Sequence, residues 1–126
     1  MRVFVVKVFR RFQRKEKIAD DELCEAIKRA ERGLVGADLG GALIKQRVAR
    51  RGEGRSGGYR TIVAYREGDR AVFLLGFAKR DRENIDEKER RALVKQGSRI
   101  LGMTDDQIEP FMDDGHMSEI DYDDSR

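Results

Sequence analysis

Hydrophobic and polar residues at the start of the chain alternate first with the period of a strand and then with that of a helix. Residues 2–9 read RVFVVKVF, are rich in β-branched and aromatic side chains, and predict a strand. Residues 10–19 are mostly polar and predict a first helix. A second helix is predicted over residues 22–32, with Asp20 or Asp21 as its cap, because four apolar residues recur there at helical spacing: Leu23, Ala26, Ile27 and Ala30.

The middle of the chain predicts three strands in succession. After a glycine-rich loop around residues 37–39, residues 43–51 alternate so that one side is largely cationic, with Leu43, Lys45, Arg47, Ala49 and Arg51. Residues 52–58, GEGRSGG, predict a flexible turn, and residues 59–66 predict the second strand. A short hairpin leads to residues 71–77, AVFLLGF, which are apolar on both faces and predict the most buried, central strand.

The last quarter of the chain changes from helical to acidic. Residues 86–101 have apolar residues at helical spacing and predict a helix. Thr104 begins a shorter helix, with Gln107 in the capping-box position, and Pro110 is expected to end or kink it. Beyond Met112 the sequence DDGHMSEIDYDDSR is acidic and nearly free of core residues, which predicts disorder.

This order of elements predicts an α+β fold. It consists of an N-terminal strand, two helices, an antiparallel three-strand meander that completes one sheet, and a C-terminal helix, with one sheet face packed on the helices. The length of 126 residues fits one domain, which we assign to residues 1–102. Residues 103–126 are then a short helix followed by an acidic, disordered tail.

Composition excludes several classes of protein. No run approaches 18 apolar residues, which argues against a transmembrane helix, and no small-residue cleavage site follows the N-terminal run, which argues against a secretory signal. The single cysteine, Cys24, cannot form an internal disulfide, and with a single histidine the chain cannot assemble a Cys/His zinc site. We therefore expect a reduced, cytoplasmic protein without metal or cofactor, in which Cys24 is a buried small hydrophobe.

Charge is distributed unevenly along the chain. The 27 Lys and Arg and 24 Asp and Glu give a net charge of +3, but residues 103–126 hold nine acidic residues and one arginine, hence −8, which leaves +11 for residues 1–102. The positive excess is clustered in residues 1–19 and 41–60. An ordinary solubilising surface would disperse its charge, so nucleic acid is the leading partner class.

Three motifs in residues 39–85 together indicate a protein family. They are LGGxxxKxRxA, the GEGRSGGYR segment, and FxKxxxxNI before the last long helix. This combination resembles the RelE/ParE superfamily of bacterial toxins, in particular its HigB-like branch, over roughly residues 35–102. The resemblance implies a toxin of a type II toxin–antitoxin pair, neutralised by a cognate antitoxin protein. RelE-like and HigB-like members cut mRNA on the ribosome, whereas ParE-like members inhibit DNA gyrase.

The chemistry of RNA cleavage indicates which residues are candidates. Without a metal, the 2′-hydroxyl attacks the adjacent phosphorus, a base accepts its proton, cations stabilise the phosphorane, and an acid protonates the leaving 5′-oxygen. The family places its working cations on one sheet face, and the matching positions are the catalytic candidates Lys45, Arg47, Arg60 and Lys79. We assign Arg60 to phosphorane stabilisation and Lys79 to proton transfer or phosphate contact. The RNA-binding candidates are Arg50, Arg51, Arg55, Tyr59, Tyr65, Arg80 and Arg82.

The sequence allows more than one role for the tyrosines, for the late residues and for the acidic tail. Tyr59 and Tyr65 stack a base, donate a proton, or are half-buried sheet residues. RelE-type enzymes usually have a late tyrosine or histidine that helps catalysis, and this chain offers only His116 and Tyr122, so the general base is not identified. The acidic tail is a solvating extension, or it lies transiently on the cationic face, in which case deleting residues 113–126 strengthens RNA binding. The alternative functions are a non-catalytic gyrase inhibitor and a plain nucleic-acid-binding module.

Overall fold

The computed structural model describes residues 1–50 and 54–123, including the side chains of all of these except residues 54–56. In this part the elements are, in chain order, β1 (Arg2–Val6), α1 (Lys7–Glu16), α2 (Asp20–Glu31), β2 (Ala37–Gly40), β3 (Leu43–Arg50), β4 (Gly54–Arg66), β5 (Arg70–Ala78), α3 (Glu87–Leu101), α4 (Asp105–Asp113) and β6 (Met117–Ile120). The predicted α+β class is confirmed. None of these helices is long and apolar enough to cross a lipid bilayer.

A single sheet contains the six strands of the described part, in the order β2-β3-β4-β5-β1-β6. β1 runs parallel to β5, and the other neighbouring pairs are antiparallel. The predicted meander is therefore confirmed as β3, β4 and β5. β5 lies in the interior of the sheet, and its first five residues are all buried, as its continuous apolar sequence predicted.

Helices cover both faces of the sheet, whereas the order of elements predicted one helix-covered face. On one side, Phe9 of α1 packs against Phe73 of β5 with ring centroids 5.0 Å apart, and Gln46 of β3 donates a 2.9 Å hydrogen bond to a backbone carbonyl of α2. On the other side α3 lies so close that a Cβ added to Gly97 would be 2.9 Å from the Cβ of Ala64. We call these two sides the α1–α2 face and the α3 face.

The N-terminal strand is shorter than its sequence predicted. The prediction of a strand over residues 2–9 is wrong from Lys7 onward, where α1 begins. Phe9 and Phe12 lie three residues apart on one side of that helix, both close to Gly76 of the sheet, whereas Val8 is 57% exposed. Burial of the two rings therefore outweighs the local preference of β-branched residues for an extended chain.

Two segments predicted as a loop and a turn belong to strands. Residues 37–39 lie in β2, which pairs antiparallel with β3 through a register shift between Asp38 and Gly40. Residues 54–58 belong to β4, so this strand begins before the predicted Tyr59, and residues 52–53 of the predicted turn lie outside the described residues. Both segments are strands because their backbones hydrogen-bond to a neighbouring strand. The local alternation of hydrophobic residues does not reveal such pairing.

The helix predicted over residues 86–101 and the capping box predicted at Thr104 are both confirmed. Asp86 caps α3, and the Thr104 hydroxyl accepts a 3.2 Å hydrogen bond from the Gln107 backbone N–H at the start of α4. The expectation that Pro110 ends or kinks this helix early is wrong as regards its end, because α4 continues to Asp113 with Pro110 inside it. Proline removes one backbone hydrogen bond of the helix, and the fully buried Ile108 keeps α4 packed on the domain.

The described part of the acidic C-terminal segment, which ends at residue 123, is ordered, so the prediction of disorder beyond Met112 is wrong for the described residues. Met117–Ile120 form β6, which pairs antiparallel with β1. Met117 and Ile120 are each 2% exposed. The Arg2 guanidinium donates two hydrogen bonds to the Glu119 carboxylate, at 2.9 and 2.8 Å. The charge that suggested disorder is therefore compensated locally, and the two apolar residues anchor the strand.

Candidate nucleic-acid interface

Three of the four catalytic candidates share the α3 face of the sheet. Arg47 of β3 lies directly opposite Arg60 of β4, and Lys45 lies opposite Ile62. Directly opposed residues of an antiparallel pair project to the same face, so the two arginines and the lysine form one group. Arg47 is exposed, Lys45 is half-buried, and Arg60 is only 6% exposed. We call Lys45, Arg47 and Arg60 the cationic face.

Burial is what makes Arg60 unusual. Removal from water lowers the pKa of its guanidinium first, the neighbouring charge of Arg47 lowers it further, and Glu83 raises it. An arginine stays protonated in spite of such a shift, so the strand carries a positive charge at a cost in free energy. A phosphate bound between Arg47 and Arg60 would relieve both the repulsion and part of the burial penalty. This is the electrostatic requirement of an anion-binding site.

The end of β5 lies beside this face. The backbone N–H of Lys79 donates a 3.1 Å hydrogen bond to the carbonyl of Gly58, two residues before Arg60 in β4. Phe77 is the register partner of Arg60, and the Arg82 guanidinium lies 4.7 Å from the centre of the Phe77 ring. Arg82 also donates hydrogen bonds to the Glu89 carboxylate of α3, at 2.9 and 3.1 Å. The structure thus brings Arg82 to the edge of the cationic face and the Lys79 backbone next to it.

Four of the RNA-binding candidates do not lie on the cationic face. Tyr59 is 3% exposed on the α1–α2 face, and its hydroxyl donates a 3.0 Å hydrogen bond to the Glu16 carboxylate. Arg50 and Arg80 line the same region beside Tyr59. Tyr65 donates to the Glu31 carboxylate of α2 at 2.8 Å. Arg51 and the side chain of Arg55 lie outside the described residues.

The sequence already contained the signal that separates these groups. Tyr59 and Arg60 are consecutive residues of one strand, and consecutive side chains in a strand point to opposite faces. Tyr65 lies five positions after Arg60, an odd offset, and the two side chains are likewise on opposite faces. Phe77 was the residue that sequence reasoning missed, because only the strand register shows that it faces Arg60.

The late candidates for proton transfer lie far along the sheet from the cationic face. The His116 ring stacks on Phe111 with centroids 4.8 Å apart, and the Lys28 ammonium lies 5.8 Å from the centre of the Tyr122 ring. Both residues flank β6, and strands β1 and β5 separate β6 from β4. Among the described residues no group of three or more His, Cys, Asp or Glu is placed to hold a metal ion.

The facing arginines predict a stability effect that can be measured without any assay of function. Replacing Arg47 by Gln should raise the free energy of unfolding by about 0.2–1 kcal/mol, because like charges directly opposite in a sheet destabilise it. Urea unfolding of Arg47→Gln and of the unchanged protein measures the difference. Lys45→Gln is the matched control, since its strand neighbours Ala37 and Ile62 are uncharged. Equal stabilisation by both substitutions would contradict the pairwise repulsion.

Comparison with known proteins assigns the chain to a family. A family model described as "RelE toxin of RelE / RelB toxin-antitoxin system" matches residues 1–120 of the chain. The match therefore begins before β1 and ends with β6, and includes the meander that carries the cationic face. No curated protein shows significant similarity to the chain.

Proposed function

The chain belongs to the RelE family of toxins from toxin–antitoxin systems, and from this premise we propose that it is a ribosome-dependent mRNA endoribonuclease that inhibits translation in the cytoplasm. A toxin of this family implies an antitoxin as its partner. The observation that supports cleavage is that the buried Arg60 and the exposed Arg47 lie directly opposite each other, which puts two positively charged side chains next to one another on one face of the sheet.

The proposed reaction assigns a role to each cation. The 2′-oxygen of the substrate forms a bond to phosphorus and loses its proton, the bond from phosphorus to the 5′-oxygen breaks, and that oxygen gains a proton. Arg60 stabilises the added charge of the phosphorane, since a buried cation acts there in a medium of low dielectric constant. Lys45 and Arg47 neutralise the RNA backbone. Lys79 contacts phosphate or takes part in proton transfer.

Expression of the chain alone in bacteria tests this function. We expect growth arrest with new mRNA 5′ ends inside translated reading frames, and no such ends with the Arg60→Ala/Lys79→Ala variant at equal protein level. Growth arrest with intact mRNA and damaged DNA would instead indicate a gyrase inhibitor. RNA binding with a steep salt dependence and no arrest would indicate a plain nucleic-acid-binding module.

A further inference from the structure

A second group of cations lies on the other side of the sheet from the cationic face. It lines a cleft of about 880 Å³ between the turn that joins α1 to α2 and the strands β3 and β4. Its charged lining comprises Lys15, Lys17, Arg50 and Arg80 against Glu16 and Glu22, and Tyr59 lies between them. We call it the helix-side cleft. Its volume lies in the range of small-molecule sites, so it has room for one small ligand or one unit of a polymer.

Three cations of the cleft, Lys15, Lys17 and Arg80, are poorly neutralised by the described part of the protein. Lys15 and Lys17 are exposed, and neither has a carboxylate within ion-pair distance among the described residues. Within the described part of the chain, Arg80 has a single ion pair, at 4.0 Å with its exposed neighbour Asp81, and such a contact contributes little free energy. The Glu16 carboxylate is engaged by the Tyr59 hydroxyl. An anion is therefore the ligand that this surface attracts.

The remaining lining distinguishes between kinds of anion. The Arg50 guanidinium lies 5.7 Å from the centre of the Tyr59 ring, and guanidinium planes of this kind stack on nucleic-acid bases. Glu22 can accept hydrogen bonds from base amino groups or ribose hydroxyls, but it would repel the side chains of an acidic peptide. Phosphate, base and ribose thus each find a matching group, whereas an acidic peptide matches only the cations.

We propose that the helix-side cleft binds a nucleoside phosphate, with Lys15, Lys17 and Arg80 on the phosphate and the stacked Arg50 beside the base. The site goes beyond the proposed nuclease function, because it lies on the sheet face opposite Arg60 and needs no cleavage. The ligand is either a free mononucleotide or one nucleotide of an RNA chain. In the second case the cleft holds RNA at a point separate from the site of cleavage.

Amide NMR titration of the Arg60→Gln protein tests the proposal without interference from cleavage. The probes are AMP and a single-stranded hexamer of adenylate. We expect both to shift the amide signals of Ile18, Ala19 and Tyr59. In the Lys17→Gln/Arg80→Gln variant of the same protein, binding of AMP should be about fivefold weaker, as expected for the loss of charge-assisted phosphate contacts. The control Lys88→Gln/Lys95→Gln removes two exposed charges of α3 and should leave AMP binding unchanged.

The two sources of the ligand give different results. Shifts at the cleft with the hexamer at concentrations at which AMP has no effect would indicate a site for RNA, and the reverse would indicate a free nucleotide. The proposal is overturned if neither probe shifts the cleft signals, if both variants weaken binding equally, or if only an acidic peptide shifts them. The NMR titration measures binding alone. A negative titration therefore says nothing about mRNA cleavage, and a negative cleavage experiment says nothing about binding in the cleft.

Discussion

Replacing Arg60 by Gln is expected to lower the rate of mRNA cleavage by about 10²–10³-fold, the range observed when one pre-organised electrostatic group is removed from an active site. Arg60 is the buried member of the cationic face, and Arg47 opposite it adds to the positive potential there. Gln is shorter than Arg and uncharged, so it leaves the phosphorane charge uncompensated. Purified ribosomes programmed with a defined mRNA, with cleavage followed at saturating toxin, measure the effect.

Arg66→Gln is the matched control for this experiment. Arg66 lies on the same strand and the same face as Arg60, but it is exposed and pairs with Asp69 at 3.1 Å. We expect its cleavage rate to stay within about twofold of the unchanged protein, since surface ion pairs contribute little. Urea unfolding of both variants checks that loss of activity is not loss of folding. Equal cleavage by Arg60→Gln and Arg66→Gln would refute the assignment of Arg60.

Replacing Ile120 by Ala is expected to lower the free energy of unfolding by about 2–4 kcal/mol, the cost of removing a large buried side chain. Ile120 is 2% exposed and lies opposite Val3 of β1, so its side chain is part of the hydrophobic core. Such a loss is a large part of the stability of a small domain. Equilibrium unfolding in urea measures it.

Ser118→Ala serves as the control within the same strand. Ser118 is exposed and pairs with Val5 through the backbone of β6, which the substitution leaves intact. We expect a change within about 0.5 kcal/mol, as for most surface substitutions. If Ile120→Ala and Ser118→Ala unfold at the same urea concentration, β6 does not contribute to the stability of the domain.

The position of β6 also changes the hypothesis of an inhibitory tail. Arg2 binds Glu119 and lies 3.1 Å from Asp105, so these acidic charges face the N-terminal strand and not the cationic face. Deleting residues 113–126 would remove β6 together with its buried side chains. Such a deletion would test the stability of the domain, and a change in RNA binding after it could not be assigned to the release of a competing anion.

Local sequence determined the elements whose signals lie within a few residues. The helix α3 is visible from its apolar spacing, and the capping box of Thr104 and Gln107 is visible because a helix cap involves residues three positions apart. The alternation of β3 placed Lys45 and Arg47 on one side of that strand. The same alternation in β4 separates Tyr59 from Arg60.

Only the tertiary structure decided which of these elements meet. Arg60 faces Arg47 on one neighbouring strand and Phe77 on the other. Both pairings depend on the register between strands, which the hydrophobic pattern of a single strand does not reveal. The pairing of β6 with β1 joins residues more than a hundred positions apart, and four residues in an acidic segment show no strand pattern of their own. The four residues of β6 are stabilised as a strand by burial against β1, so this stabilisation is present only after the chain has folded around β1.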